Sequence, residues 1–263
     1  MIGLACDVLL FVATDVEQDE LRRVALDLGF EWTKDETERG EFWKLGMLGN
    51  QRVVAVRTRI GSIGRSGSTA NANFYLAATQ ATCIVCLGMA FGISRETQPL
   101  GSVLISESLF AYDVRRVIAD PDRGDGAWRY AYGEQARVHR CKGEMKRIFR
   151  VHDQRGTSGL RVQFGCLLTG SALVRSTAFR DHLVTWCSAI APDIIGGEME
   201  GAGFLSLSDH RASWIVAKGI CDFADEQQVE DAEANCRQAC ANSSRFVLEA
   251  LRDWNPARGK VSM

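Results

Sequence analysis

The sequence is poor in proline and histidine and carries almost no excess of charge. Its 263 residues include four prolines and four histidines, and 31 Lys and Arg against 33 Asp and Glu leave a net charge of −2. A nucleic-acid binder would show a clear basic excess, so this class is disfavoured. The histidines show no metal-ligand spacing and no H-E-x-x-H motif occurs. We therefore predict no metal site and no organic cofactor.

Long apolar runs are missing as well. The run at Val8–Ala13 is far shorter than the roughly 18 residues that a membrane span needs. It also lacks the basic segment and cleavage site of a signal peptide. The nine cysteines are scattered, as is typical of reduced thiols in a cytosolic protein. We predict a cytoplasmic protein that binds neither membranes nor nucleic acid.

Apolar runs of strand length alternate with helical patterns along the chain, and the 25 glycines cluster at residues 61–67, 88–92 and 196–203. Continuous apolar runs are typical of strands buried on both faces of a largely parallel sheet. The predicted strands are Asp7–Ala13, Phe42–Leu48, Arg52–Thr58, Cys83–Leu87, Val103–Ser106, Gly165–Thr169, Asp193–Met199 and Trp214–Ile220. The predicted helices include 21–28, Ala70–Ala78, Ala178–Trp186, Gly201–His210 and 232–254. This alternation predicts one three-layer α/β domain over residues 1–263.

Residues 120–160 interrupt the alternation with a polar insert whose later part is basic. Eight Lys or Arg lie between Arg137 and Arg161, against Glu144 and Asp153. A solvated helix face with a loop is one interpretation of this segment, and a surface that faces a partner or a phosphate is the other.

Acidic residues lie at the carboxyl ends of three predicted strands. Glu17 follows the first strand, Glu198 and Glu200 lie in G-G-E-M-E-G-A-G, and Asp222 lies in K-G-I-C-D-F-A-D. Each alone has a structural interpretation, as a helix cap or as a first-turn acid that complements the helix dipole. In an open α/β sheet, however, ligands bind at the carboxyl ends of the strands. Together, these acids predict a functional site at that edge.

These motifs resemble the nucleoside phosphorylase superfamily, and especially its hydrolytic branch around methylthioadenosine/adenosylhomocysteine nucleosidase. That family shows E-M-E-[AG]-A and then I-S-D-x-A-D, which are similar to Glu198–Gly203 and Ile220–Asp225 here. Weaker similarities at 13–17, 61–64, 88–92 and 169–174 extend the resemblance over about Asp7 to Leu251. It implies a three-layer α/β/α fold with a twisted mixed central sheet, a homodimer, and similarity to a bacterial subgroup linked to signalling and defence modules.

The resemblance also implies a role for each matched residue. Asp222 would protonate purine N7 as the general acid, and Glu17 would activate the attacking water. Lys218 stands where the nucleosidases carry an arginine near that water, and Glu200 would accept both ribose hydroxyls. The other implied binding residues are Met199 and Glu198 at the ribose, Met89, Ala90, Leu173 and Val174 at the base, Gly61 in the glycine loop, and Arg116 toward a 5′-phosphate.

The predicted reaction is hydrolysis of the N-glycosidic bond of a purine nucleoside or nucleotide. Phosphorylases of this superfamily carry an arginine and a serine in the segment that reads V-C-L-G-M here, at residues 85–89. Holding a phosphate in a buried site without a cation is costly. Arg59 and Arg65 could supply that cation from elsewhere, so a phosphate-dependent phosphorylase stays open as an alternative.

Three departures from the family pattern keep a second alternative, a catalytically weak nucleoside-binding module. They are Met89, Leu173 in place of an aromatic that stacks on adenine, and Lys218 in place of arginine. The identity of the base stays open. The 5′ group is either a thioether, which would occupy an apolar pocket, or phosphates, which would need cations such as Arg115 or Arg116.

Overall fold

The computed structural model describes residues 4–207, 212–227 and 231–254. Its strands are β1 (Val8–Val12), β2 (Thr33–Thr37), β3 (Gly40–Leu48), β4 (Gln51–Arg57), β5 (Cys83–Gly92), β6 (Val103–Ala111), β7 (Arg116–Ala119), β8 (Trp128–Ala131), β9 (Val138–Arg140), β10 (Val162–Thr169), β11 (Ile194–Glu198) and β12 (Ser213–Asp222). Its α-helices are α1 (Asp15–Asp27), α2 (Ser68–Thr79), α3 (Glu144–Gln154), α4 (Thr177–Ser188) and α5 (Ala232–Arg252). Short 3₁₀ helices lie at Pro121–Arg123 and Gly201–Leu207.

The central sheet is mixed, with a parallel centre. Its strand order is β11-β10-β6-β12-β5-β1-β4-β3-β2, and β9 pairs with β6. β1 runs parallel to both β4 and β5, and β5 runs parallel to β12. All five residues of β1 are buried, as are the first six of β5. The continuous apolar runs therefore lie at the centre of the sheet, where both faces are covered.

Part of the sheet closes on itself. β11 pairs with β10 on one side and with β5 on the other, so that β5, β12, β6, β10 and β11 form a ring. The prediction treated the sheet as open, and a period-2 apolar pattern contains no signal for such closure. Closure brings the end of β11, at Glu198, next to the ends of β5 and β12.

Helices cover both faces of the sheet, which confirms the three-layer α/β/α prediction. On one face, Phe11 contacts Tyr75 of α2 and Phe204 of the second 3₁₀ helix, with ring centroids 6.4 and 5.5 Å away. On the other face, α5 packs so tightly that a Cβ at Gly219 would lie 2.1 Å from the carbonyl oxygen of Ala239. No helix in the described ranges combines the length and the apolar character that a membrane crossing needs.

Two predictions about local structure need correction. The helix predicted at Gly201–His210 is a 3₁₀ helix at Gly201–Leu207, and residues 208–211 lie outside the described part. Its glycines, which disfavour an α-helix, are required because a Cβ at Gly203 would lie 2.0 Å from the hydroxyl of Ser68. The exposed polar strand β2 and the β7–β8 hairpin were not predicted, since each is short and largely exposed.

The insert at 120–160 is more structured than a solvated face and loop. It contains the β7–β8 hairpin's second strand, β9 and α3, and α3 buries Met145, Ile148 and Phe149. Its cations lie on the outside, where Arg150 and Lys146 contact Glu107 at 2.6 and 3.8 Å. The helical part of the insert is therefore amphipathic, with an apolar face that packs on the protein.

Candidate active site

Glu17 is held at the start of α1 by contacts to both of its carboxylate oxygens. Thr14 caps the helix, and its hydroxyl accepts the Glu17 N–H at 3.2 Å. The Oε2 of Glu17 accepts the N–H groups of Ala13 and Thr14 at 2.5 and 3.1 Å, while Oε1 accepts the Met89 N–H at 3.0 Å. The carboxylate therefore completes a capping box and also reaches the end of β5.

The Glu17 carboxylate can lie this close to β5 only because residue 88 is glycine. Gly88 has φ of +131°, and a Cβ there would lie 1.7 Å from Oε1 of Glu17. No other residue fits both the backbone conformation and the space. The glycine cluster at 88–92 thus contributes to the site by letting a carboxylate lie directly on the strand.

Lys218 is a fully buried cation between two carboxylates. Its Nζ lies 2.9 Å from Oε2 of Glu200 and 3.3 Å from Oε1 of Glu17. Its side chain is 0% exposed, and those of Glu17 and Glu200 are 2% and 6% exposed. We call these three residues the buried ion cluster. Burial alone lowers the pKa of the Lys218 ammonium, but Cys86 and the surrounding carboxylates outweigh it and hold that pKa well above its usual range.

Glu200 is fixed from three directions. Its Oε1 accepts the Gly61 N–H at 3.0 Å, and its Oε2 accepts the Lys218 ammonium. Its backbone carbonyl accepts the Ser68 hydroxyl at 2.6 Å. Gly61 therefore contacts the Glu200 carboxylate through its backbone N–H, and it is not among the described residues that line the cleft.

Glu198 is buried and accepts backbone donors from the turn that follows it. Its Oε2 accepts the N–H groups of Glu200 and Gly201 at 2.9 and 2.8 Å. Burial, and then the neighbouring Glu200 carboxylate, raise the pKa of Glu198 to about 7. Glu198 therefore shapes the turn that presents Glu200.

Asp222 ends β12 at an irregularity in its pairing with β5. Its Oδ1 accepts the Ala224 N–H at 2.8 Å, and the Cys221 thiol donates to Oδ2 at 3.2 Å. The residue is half-buried and faces the same cleft as Glu17 and Glu200. One carboxyl oxygen of Asp222 is thus held by a backbone N–H, and the other contacts a thiol.

These groups share one cleft with a cavity volume of about 150 Å³, which lies at the carboxyl ends of β1, β5 and β12 and is partly open to solvent. The predicted site residues that line it are Glu17, Met89, Ala90, Leu173, Val174, Glu198, Met199, Glu200 and Asp222. Lys218 lies behind the lining, inside the buried ion cluster. Arg116 is not among the lining residues, because it begins the β7–β8 hairpin, where its guanidinium lies beside Gly133.

Several lining residues were not predicted as site residues. Phe91 is the one aromatic among the described residues that line the cleft, and a Cβ at Gly197 would lie 2.3 Å from its ring. Ile60 and Cys221 also line the cleft. Phe91 lies in the glycine cluster at 88–92, and Cys221 adjoins Asp222. Both residues could therefore have been predicted as site residues from their position next to recognised motifs.

Two of the acids lie as close to a cysteine as the ligands of one metal ion lie to each other. The ligand atoms of Cys86, Glu198 and Glu200 lie within 4.8 Å of one another. The oxygens of both carboxylates already accept backbone N–H groups, and Glu200 also contacts the Lys218 ammonium. Lys218 thus supplies at this place the positive charge that a metal would otherwise provide.

Comparison with known proteins agrees with this geometry. The sequence profile of the phosphorylase superfamily matches residues 7–252. The chain belongs to the phosphorylase superfamily. Within that superfamily it is 27% identical over 269 aligned positions to a death domain-containing ATP nucleosidase of Amphimedon queenslandica, covering 93% of this chain. It spans 48% of that relative, about half of its length.

Solved structures of the same fold include two hydrolytic enzymes. One is the 5′-methylthioadenosine/S-adenosylhomocysteine nucleosidase of Neisseria meningitidis in complex with methylthio-immucillin-A, with a TM-score of 0.74, 20% identity and coverage of 94% of this chain and 99% of that one. The other is the futalosine hydrolase of Helicobacter pylori strain 26695, with a TM-score of 0.73, 19% identity and coverage of 94% and 97%. At these identities the likeness establishes the fold.

Proposed function

We propose that this superfamily member hydrolyses the N-glycosidic bond of a purine nucleoside or nucleotide, releasing the free base. The observation that carries the proposal is the buried ion cluster beneath the cleft that Asp222 also faces. The described lining of that cleft contains carboxylates and no Lys or Arg. Such a site suits an uncharged nucleophile, water, better than phosphate. Relatives that are nucleosidases support the same reaction.

Asp222 is proposed as the general acid. Cleavage of an N-riboside proceeds through an oxocarbenium-like ribose, as in glycoside hydrolysis, and the departing base must be neutralised. A proton delivered from Oδ2 of Asp222 toward N7 of the purine would do this. General acid catalysis of this kind is typically worth about 10²- to 10⁴-fold in rate.

The buried ion cluster is proposed to position water and ribose. Glu17 would orient and deprotonate the attacking water, while Glu200 would accept the ribose hydroxyls with Met199 packed against the sugar. Lys218 contacts both carboxylates through its ammonium group, so it holds them at a fixed separation. It is a positioning residue that acts through its two partners.

For the base, the proposed contacts are apolar packing and backbone groups. Leu173 and Val174 line one part of the cleft, and Met89 and Ala90 line another. Leu173 stands where the family carries an aromatic residue, and Phe91 supplies an aromatic ring elsewhere in the lining of the cleft. Packing between these groups suits a planar purine and leaves its edge to the backbone of β5.

For the 5′ group, we propose that the enzyme accepts phosphates. A second cleft, lined by Arg57 and Arg59, adjoins the first and shares Ala13, Thr14 and Ile60 with it. Arg57 contacts Asp15, whereas no ion pair of Arg59 is present among the described residues. The name of the ATP nucleosidase relative points to the same class of substrate. Arg59→Ala should lower kcat/KM for AMP and ATP and leave adenosine unchanged, while Arg116→Ala tests the cation predicted from the sequence.

We further propose a cytoplasmic homodimer. Ile60 and Leu173, which line the cleft, are 59% and 68% exposed, and Ile63 in the loop after Ile60 is 80% exposed. A second copy of the chain would cover these side chains. All nine cysteines are free thiols, which suits a reducing compartment. Light scattering should give twice the chain mass, and Ile63→Asp should shift it toward the monomer. A monomeric wild type would contradict the dimer, and recovery of the protein outside the cytosolic fraction would contradict the location.

A substrate panel tests the reaction. Base release is measured from adenosine, methylthioadenosine, adenosylhomocysteine, AMP and ATP, each with and without inorganic phosphate. The proposal expects release without phosphate and its loss in Glu200→Ala. Phosphate-dependent release would instead establish a phosphorylase. Tight purine binding without any product would establish a binding module.

A further inference from the structure

One peptide group in the loop after β12 lies between the proposed general acid and a cation of α4. The N–H of Ala224 donates to Oδ1 of Asp222 at 2.8 Å. The guanidinium of Arg180 donates to the carbonyl oxygen of Phe223 at 2.6 Å. The Phe223 carbonyl and the Ala224 N–H belong to the same planar peptide bond. The orientation of this rigid unit therefore depends on Arg180 at one end and sets the position of Asp222 at the other.

That peptide group precedes a residue in an unfavourable backbone conformation. Ala224 has φ of +52°, in the left-handed region that is disfavoured for a residue with a Cβ. Such a conformation persists where surrounding contacts enforce it, and it is common at active sites. Arg180 is suited to enforce it, because its side chain is only 12% exposed and its donor reaches the peptide bond itself.

The same loop is held on another side by Asp225, whose side chain is 8% exposed. The two oxygens of this carboxylate accept a guanidinium N–H of Arg95 at 3.1 and 2.9 Å, and one of them lies 4.0 Å from Arg180. The Arg95 guanidinium also lies 4.5 Å from the centroid of the Phe223 ring. Of these two cations, Arg180 is the one that donates to the peptide group bonded to Asp222.

The first turn of α4 makes a second contact with the loop. Thr177 donates through its N–H and its hydroxyl to Glu226 at 3.0 and 2.6 Å. Arg180 also contacts Asp181 at 2.7 Å, but that carboxylate is 60% exposed, and exposed ion pairs contribute little. The contacts that matter for the loop are therefore the buried ones.

We propose that Arg180 is a positioning residue for the general acid and acts through the peptide bond between Phe223 and Ala224. This rests on the proposed function, in which Asp222 gives its proton to the departing base. Without Arg180, the peptide group is free to leave its enforced orientation, and the carboxyl group bonded to it moves as well. A displacement of a catalytic group by about 1 Å typically costs about 10²-fold in rate.

The first test is the kinetics of Arg180→Met, which removes the donor and keeps an unbranched side chain. The kcat for base release should fall by about 10²-fold with little change in KM, because the acid acts in the transition state. Arg180→Lys, which keeps the charge, should lose less. Asp181→Asn, which keeps an oxygen acceptor, and Arg245→Met, at an ion-paired cation of α5, are controls with wild-type kcat. An unchanged kcat in Arg180→Met would overturn the proposal.

A double variant separates positioning of the acid from general damage to the fold. If Arg180 acts through Asp222, Arg180→Met should cause no further loss of kcat in the Asp222→Asn background. Losses that multiply would show that Arg180 acts independently of the acid, which would also overturn the proposal. Thermal unfolding checks that each variant is folded, and Arg180→Lys replaces Arg180→Met in both comparisons if the latter does not fold.

Hydrogen exchange tests the contact without a substrate. The Ala224 amide, which is bonded to Asp222, should exchange faster in Arg180→Met than in the wild type, while the amides of β1 should not change. Equal exchange at Ala224 in the two proteins would contradict the proposal. Lack of base release by the wild type would count against the proposed function alone, because the exchange measurement does not depend on it.

Discussion

Charged side chains contact one another in two regions of this protein, and the surroundings differ. In the buried ion cluster, Lys218, Glu17 and Glu200 have side chains no more than 6% exposed. In the insert, Arg147 and Glu144 form an ion pair at 2.7 Å with side chains 54% and 45% exposed. The distances are similar, so the difference between the regions is access to water.

That difference decides what each contact contributes. Removing one member of a buried pair leaves an uncompensated charge in a poorly solvated place, whereas water replaces the partner at the surface. Buried charge near a cleft is also where reactive groups are held in unusual protonation states. The buried ion cluster should therefore control both stability and activity, and the ion pairs of the insert should control neither.

The largest effect is expected on turnover at the cleft. Asp222→Asn removes the proposed proton donor but keeps its shape, so base release should fall by about 10²- to 10⁴-fold with little change in melting temperature. Asp181→Asn, on the exposed side of α4, is the matched control and should turn over normally. Unchanged release in Asp222→Asn would show that another group carries the proton.

The next largest effect is expected on stability. Lys218→Met leaves two facing carboxylates without their cation, and the free energy of unfolding should fall by about 3–5 kcal/mol in urea titrations. Lys146→Met, in the insert, makes the same chemical change at a side chain 38% exposed and should cost about 0.5 kcal/mol. Similar losses in the two variants would remove the contrast between the regions.

A smaller effect should depend on pH. Burial raises the folded-state pKa of Glu198 from 4.5 to about 7, so the folded protein retains a proton that the unfolded chain releases within that window. The free energy of unfolding should therefore fall as pH rises through this range, by on the order of 1–3 kcal/mol. Glu198→Gln should flatten this part of the profile, measured by thermal melts across pH. An unchanged slope in that variant would assign the dependence to other groups.

The smallest effect is expected at the surface of α3. Arg147→Ala breaks the exposed pair with Glu144 and should change the free energy of unfolding by less than about 0.5 kcal/mol, with unchanged base release. A larger loss of activity in this variant would mean that the insert takes part in the reaction.

Much of the fold and part of the site were predictable because their signals are local. The apolar run at Cys83–Leu87 predicted a strand, and β5 contains it. Glu200 and Asp222 were recognised from motifs at strand ends, and the structure brings both to one cleft. A strand that is buried on both faces can be recognised from the continuous apolar run in its own sequence.

Contacts between residues far apart in the sequence cannot be recognised from a local pattern. Lys218 and Glu17 are 201 positions apart. The family resemblance places both near the attacking water, but it does not predict that their side chains form a direct ion pair. The β11–β5 pairing that closes the sheet is equally non-local, although it is what places Glu198 at the site.

The fate of the water oxygen tests the central claim most directly. With the preferred purine substrate in oxygen-labelled water, the sugar product is analysed by mass spectrometry in the presence and absence of phosphate. A hydrolase should place one labelled oxygen at the anomeric carbon for each base released, with phosphate making no difference. A ribose 1-phosphate product without label at that carbon would contradict the account.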